Sequence, residues 1–184
     1  MPQKFPWWKI GTREVAVASV LGALSAVLEY QPGPPFDIEF PLYPKISWDF
    51  TGIPMMISLL LCGPLCASYT CLTSCSMIFF RGNVSGGIFK LLAELSTLIG
   101  YAAFRKNFVI DTAKATMARI AVMTIANYYL LPFFYGKYGM TFEATVALLV
   151  PIAIFNLTQA LINIIPAYII YARIEGKIYP PKPT

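Results

Sequence analysis

The sequence predicts an all-α integral membrane protein. We expect six transmembrane helices in one compact bundle, both termini cytoplasmic, and a long lid loop between the first two helices. Three observations carry this. Of the 184 residues 57% are hydrophobic and only 12% charged, about half the ~25% charge of a soluble domain. Mean hydropathy is +0.63. Several apolar runs approach the roughly 20 residues a helix needs to cross hydrocarbon. No polar stretch is long enough to fold alone, so residues 1–184 read as a single transmembrane domain.

Residues 1–11 read as a cytoplasmic segment. They carry Lys4 and Lys9 but neither an apolar core nor a small-residue cleavage site, unlike a cleaved signal peptide. Trp7 and Trp8 suit the membrane interface. The first helix spans about Thr12 to Glu29. Residues 30–50 follow as an extracellular loop that is neither helix nor tight turn, and the part FDIEFPLYPKISWDF is rich in aromatics and stiffened by Pro41 and Pro44. A plain linker needs neither, so we read this loop as a lid over a small-molecule site. The second helix is TGIPMMISLLLC and the third LCASYTCLTSCSMIFF. Helices four to six run from about Ile88 to Phe104, Thr112 to Phe134 and Val146 to Ile174, and 175–184 form a cytoplasmic tail.

Gly63-Pro64 is either a turn or a kink. Lys and Arg collect on the cytoplasmic side, and a turn gives the better split. It places Lys4, Lys9, Arg13, Arg105, Lys106, Lys114, Arg119, Arg173, Lys177 and Lys182 inside, against Lys45, Arg81, Lys90 and Lys137 outside. The second helix is then short, rising only about 18 Å. The lid loop must complete that crossing, which is tolerable only where protein shields it.

Polar residues inside membrane helices are informative because they are expensive there. Lys90 and Glu94, then Asn127 and Tyr128, then Asn156 and Gln159 all fall in the outer half of helices four, five and six. With Phe40, Tyr43 and Trp48 of the lid they form the candidate substrate site. Asn156 and Gln159 are three apart and share a face. Amides both donate and accept, which suits a heterocycle with carbonyls and ring nitrogens, and the lid aromatics could stack on its ring. Each residue has a plainer reading. Lys90 and Glu94 could neutralise one another at i,i+4, the amides could join helices, and the aromatics could form an interfacial belt. Asp49 reads as a cap for the second helix rather than a ligand contact. The outer half carries a net charge of −2 by this assignment, which disfavours a polyanionic ligand.

Ala18, Gly22 and Ala26 recur every four residues along the first helix. Such a stripe lets another helix approach closely, either a partner protein's or one within the chain. Cys62, Cys66, Cys71 and Cys75 lie in apolar helical sequence, and there is no histidine. We read them as small core residues rather than a metal or redox site. Single acids without histidine also argue against a membrane-embedded enzyme. No phosphate-gripping GxxxxGK[ST] is present, so ATP hydrolysis would need partners. No internal repeat supports an autonomous carrier.

Three segments, FPLYPKISWDFTGIPMMISLLLCGPL, ANYYLLPFFY and VPIAIFNLTQALINIIPAYIIYARI, come in an order and spacing that resembles the substrate-binding S components of energy-coupling factor (ECF) vitamin transporters, in particular the riboflavin-specific branch. The resemblance implies a six-helix cylinder in a prokaryotic plasma membrane, binding its vitamin under the loop between helices one and two. Contacts would come from helices four to six. The first helix would meet a transmembrane coupling subunit, and two ATPase subunits would drive uptake, with no nucleic acid involved. Riboflavin is implied as transported ligand, with no bound cofactor; another vitamin or small heterocycle is the alternative. Asn127 and Asn156 match asparagines of the family's motifs. Gln159 stands where a lysine commonly follows, and FKLLAELSTLIG lacks an asparagine that the riboflavin branch tends to carry near Ser96.

Overall fold

The computed structural model describes residues 11–30 and 37–178, with side chains as far as 175. The readings on Lys4, Trp7, Trp8, Lys9 and Lys182, and those on 31–36 and 179–184, lie outside the described residues. Gly63 settles the helix count. Its φ of 90° and ψ of −178° belong to a region that glycine enters without steric penalty. Its N–H closes the preceding helix on the Leu59 carbonyl at 3.0 Å. Pro64 then takes the first position of the next helix, where a missing N–H leaves nothing unpaired. The chain therefore turns rather than kinks, and forms α1 (Thr12–Tyr30), α2 (Gly52–Cys62), α3 (Pro64–Phe80), α4 (Val84–Ala102), α5 (Phe108–Tyr135) and α6 (Phe142–Ile178).

Three helices start about one turn earlier than the sequence suggests, each because of a cap. Asn83 Oδ1 accepts from the Gly86 N–H at 2.9 Å and Asn107 Oδ1 from Ile110 at 2.9 Å. Thr141 Oγ1 accepts from Ala144 at 3.1 Å. These bonds satisfy N–H groups that a helix start leaves open. They outweigh the poor helix propensity of Gly86 and Gly87. The earlier starts also move charges: Arg119 becomes a mid-helix residue of α5 and does not mark the cytoplasmic side.

α2 is the axis of the bundle. It packs against α1, α3, α4 and α6, and nine of its 11 residues are buried. Its brevity is thus accommodated by sheathing. α3, α4, α5 and α6 follow one another around the bundle, and α1 rests on α3 and α2. The three buried cysteines, Cys66, Cys71 and Cys75, pack in this interior with free thiols.

The small-residue stripe of α1 is used inside the chain, which corrects its reading as a free partner surface. Ala18 is 1% exposed and its carbonyl accepts from Thr70 at 3.1 Å. A Cβ on Gly22 would lie 3.2 Å from that of Thr73. Ser25 Oγ is 2.9 Å from Ser74 Oγ and donates to the Thr51 carbonyl at 2.6 Å. Ala26 is half-buried; the outward face instead carries Val20, Ala23, Leu24 and Val27.

The polarity of the bundle is inverted relative to a soluble domain. Val20, Phe133 and Val150 are largely exposed, whereas Glu94, Arg119, Asn156, Gln159 and Asn163 are buried. Two helical stretches, Phe108–Tyr138 and Phe142–Glu175, are long and apolar enough to cross a membrane, with mean hydropathies of 1.3 and 2.0.

Close approach of α4 and α5 depends on Gly100, where an added Cβ would lie 2.8 Å from Ala118 Cβ and 3.0 Å from the Lys114 carbonyl oxygen. Backbone cannot yield as a side-chain tip can. Gly100→Ala is expected to lower stability by about 1–3 kcal/mol, read as a drop in unfolding temperature in detergent.

Candidate substrate site

The site begins with the segment between α1 and α2. It is a small hairpin with tight turns, where neither helix nor tight turn was expected. β1 (Ile38–Glu39) and β2 (Ser47–Trp48) pair antiparallel, Ile38 opposite Trp48 and Glu39 opposite Ser47. Inside them the Phe40 N–H donates to Ile46 at 2.9 Å, and tight turns join Tyr43 to Phe40 and Ile46 to Tyr43. Pro41 and Pro44 occupy turn positions where no N–H is needed.

The hairpin is fastened to α6 at three points. Phe40 is 3% exposed and packs 5.2 Å from Trp48 and 5.5 Å from Phe155, ring centre to ring centre. Trp48 Nε1 donates to Thr158 Oγ1 at 2.8 Å. Gln159 holds the Asp49 peptide from both sides, with Nε2 donating to the Asp49 carbonyl at 2.8 Å and Oε1 accepting from the Asp49 N–H at 3.2 Å. One side-chain amide thus pairs with backbone as a neighbouring strand would.

Asp49 also reaches across to α4. Its carboxylate accepts from the Thr51 N–H at 2.9 Å, a local turn just before α2 rather than the helix cap expected, since the start of α2 has no side-chain cap; it also pairs with Lys90. Lys90 meets Glu29 at 3.3 Å as well, and Glu29 holds Arg81 at 3.1 Å. Burial pushes the Asp49 carboxyl up, but the Lys90 ammonium and the Thr51 donors outweigh it and hold it below the ordinary range. A depressed folded value stabilises the hairpin root throughout the neutral range, and the contribution is lost only as pH falls through that value.

Beneath the hairpin lies a second charge cluster. Arg119 Nη1 donates to Glu94 Oε1 at 2.9 Å and to Thr97 Oγ1 at 3.1 Å, and Nε donates to Asn156 Oδ1 at 3.0 Å. Asn163 Nδ2 lies 3.3 Å from both Glu94 oxygens, and its own Oδ1 accepts from Gln159 at 3.0 Å. The chain Arg119–Glu94–Asn163–Gln159–Asp49 joins α5, α4 and α6 to the hairpin.

A cavity of about 640 Å³ opens between hairpin and helices. The hairpin contributes Tyr43, Lys45, Ile46, Ser47 and Asp49; α4 adds Phe89 and Lys90; α5 adds Arg119, Met123, Asn127 and Tyr135; α6 adds Ile152, Phe155 and Asn156. Burial pushes the Tyr43 phenol up, with Tyr135 nearby adding to the effect.

Of the residues predicted from sequence, Tyr43, Lys90, Asn127 and Asn156 line this cavity together. The other five lie beside or beneath it. Phe40, Trp48 and Gln159 fasten the hairpin, Glu94 holds Arg119, and Tyr128 packs against Tyr129 and Phe142. Lys90 and Glu94 do not neutralise each other, because each has a closer partner on another element. Arg119 was missed as a site residue. Its signal was a charge within an apolar helix, which needs a partner; Glu94 supplies one.

Comparison with known proteins fits this arrangement. The family described as the substrate-specific component of ECF transporters matches residues 13–171. The chain belongs to this family. Its members are membrane-embedded and bind substrate in modules with a membrane T subunit and ATPase subunits. A solved S component of a bacterial ECF transporter superposes with a TM-score of 0.73 at 22% identity, covering 90% of this chain and 97% of that one, a likeness of fold. Among curated proteins nothing matches.

Two substitutions test this S component's construction. Gln159→Leu leaves the Asp49 peptide without its partners, and hydrogen exchange across 38–49 is expected to speed up while α2 stays protected. Arg119→Met strands the Glu94 charge, which is expected to cost roughly 3–5 kcal/mol, measured by thermal unfolding.

Proposed function

We propose that the chain captures a vitamin, riboflavin foremost, on the outer face of the membrane and passes it inward when ATPase partners drive the complex. The observation that carries this reading is the cavity. Its volume of about 640 Å³ lies within the ~300–1,000 Å³ typical of small-molecule sites, large enough for a fused ring system with a polar chain. Phe89, Phe155, Tyr43 and Tyr135 offer flat apolar surface around it, and Asn127 and Asn156 offer amides. Its buried charges are already paired, Lys90 with Asp49 and Glu29, Arg119 with Glu94; the exposed Lys45 of the hairpin also lines the cavity and has no ion pair among the described residues. The paired interior favours an uncharged group over a phosphate at the level of Arg119.

The hairpin acts as the lid, and α1, α4 and α6 carry it at the outer end. Both termini then lie on the cytoplasmic side, as the distribution of Lys and Arg favours. The transmembrane coupling subunit and two ATPase subunits supply the energy, since binding alone cannot drive net uptake. A flat heterocycle other than riboflavin is the second reading. It is favoured by Gln159, whose amide is spent on the hairpin and is not free to contact a flavin.

Titrating riboflavin into the detergent-purified protein is expected to quench tryptophan fluorescence saturably, because Trp48 stands between two hairpin residues that line the cavity, Ser47 and Asp49. No response to riboflavin, with a response to another flat heterocycle, would select the second reading. Asn127→Ala is expected to weaken binding at least tenfold, about 1.4 kcal/mol, without altering the unfolding temperature of the unliganded protein by more than a surface change would. Liposomes carrying this chain alone are expected to bind but not accumulate the vitamin; accumulation without ATPase partners would identify an autonomous carrier instead.

A further inference from the structure

Three residues of α5 line the cavity at i, i+4 and i+8: Arg119, Met123 and Asn127. That spacing places them in one stripe along the helix, polar at both ends and apolar in the middle. Arg119 is 2% exposed. Its Nε–H goes to Asn156 and its two Nη1 hydrogens go to Glu94 and Thr97. The remaining amino group, Nη2, has no hydrogen-bond partner among the described residues, on a side chain that lines the cavity. At the other end Asn127 Nδ2 donates to the Met123 carbonyl at 2.7 Å, which fixes the orientation of the amide. Asn127 Oδ1 is left as an acceptor without a partner among the described residues. Eight residues separate the two, about 12 Å along the axis. Met123 between them offers a soft, polarizable surface suited to a ring.

We infer that Arg119 is the specificity-determining residue of the cavity, donating through Nη2 to a carbonyl or ring-nitrogen acceptor at the deep end of an elongated, uncharged substrate. The substrate's opposite end donates to Asn127 Oδ1. This rests on the cavity being the substrate site. A guanidinium presents a rigid fork of donors, and here three of its N–H groups are held by protein, so the remaining edge is aimed before any ligand arrives. The charge of Arg119 is balanced by Glu94, so a carboxylate or phosphate at this depth would add a buried charge with no counterion. A carbonyl adds none and still pairs with Nη2. A ligand without an acceptor at that end would leave the edge dry and unpaired, which is a strong basis for rejection.

The rival account is that Arg119 only ties α4 to α6. Two variants of the full chain separate the accounts. R119K keeps a cation beside Glu94 but lacks the planar fork. E94Q/R119Q removes both charges together, so neither is stranded. Thermal unfolding reports the fold of each, and riboflavin titration followed by tryptophan fluorescence reports binding. The expected result is two folded variants that each bind riboflavin at least about tenfold more weakly than wild type. A folded variant of either kind with wild-type affinity overturns the inference, and if one fails to fold the other decides. Wild-type protein that ignores riboflavin would remove riboflavin as cargo without touching Arg119. Native mass spectrometry then compares the small molecule co-purifying with wild type and with the folded variant: its loss supports the inference and its retention overturns it.

Discussion

The burial of Glu94 and Arg119 in the middle of an apolar bundle is the constraint around which the rest is arranged. Either charge alone would be prohibitive there, since desolvating an ion costs several kcal/mol even after relaxation. Together they remain demanding, because a bare ion pair in low dielectric often fails to repay its desolvation. The structure meets that demand with hydrogen bonds. Thr97, Asn156 and Asn163 add hydrogen bonds to the pair, leaving Arg119 Nη2 without a partner among the described residues, and each comes from α4 or α6. The pair therefore fixes how α5 sits against both neighbours, at the level where the cavity floor forms. Gly52 shows how little slack is left, for a Cβ there would fall 2.0 Å from Asn163 Nδ2.

From that floor, order passes upward through single side chains. Asn163 receives from Gln159, Gln159 grips the Asp49 peptide, and Asp49 turns back to Lys90 on α4. The hairpin is too short to be stable alone, since a two-stranded ribbon is marginal in water even at greater length. It is held to α6 by one amide, one indole N–H and one buried aromatic, and to α4 by the Asp49–Lys90 ion pair. This economy has a functional consequence under the proposed reading. Few contacts need to break for the hairpin to move, and they involve Phe40, Trp48 and Asp49, so opening can be local while the bundle stays intact.

Much of this was legible in the sequence, and the gaps have physical causes. The helix count followed from Gly63-Pro64 and the charge bias. Three cavity residues, Lys90, Asn127 and Asn156, followed from polarity at the wrong depth, and Tyr43 from the aromatic lid segment. Helix starts were misplaced because Asn83, Asn107 and Thr141 act through single capping bonds, whereas apolar periodicity reports only where the buried face lies. Depth was then misjudged for Arg119, whose helix was taken to begin four residues late, and a charge two turns inside looks like a charge at the end. The alternative reading of Lys90 and Glu94 as a pair rested on proximity along the chain. Pairing across helices is set by rotation of one helix against another, which no single segment encodes. Gln159 marks the same limit: its face was correct, but whether an amide meets ligand or backbone depends on where the hairpin lands.

The α1 stripe shows that the same pattern can serve opposite ends. Small residues every four positions permit close helix contact but do not name the partner. Here α3 takes the contact through Thr70, Thr73 and Ser74, whose hydroxyls find acceptors on α1 or within their own helix. An apolar α3 would have given α1 no reason to prefer that face over its rotamer-poor opposite, lined by Val20, Leu24 and Val27. With it settled, the face left outward is aliphatic and smooth, and matches lipid or an equally apolar helix. Polarity in this chain is consistently a device for internal choice, namely which helix meets which and at what height, while the apolar exterior is left undirected. A bundle built that way keeps its fold information off its exterior, and divides its polar groups between the α1–α3 contact and the cavity.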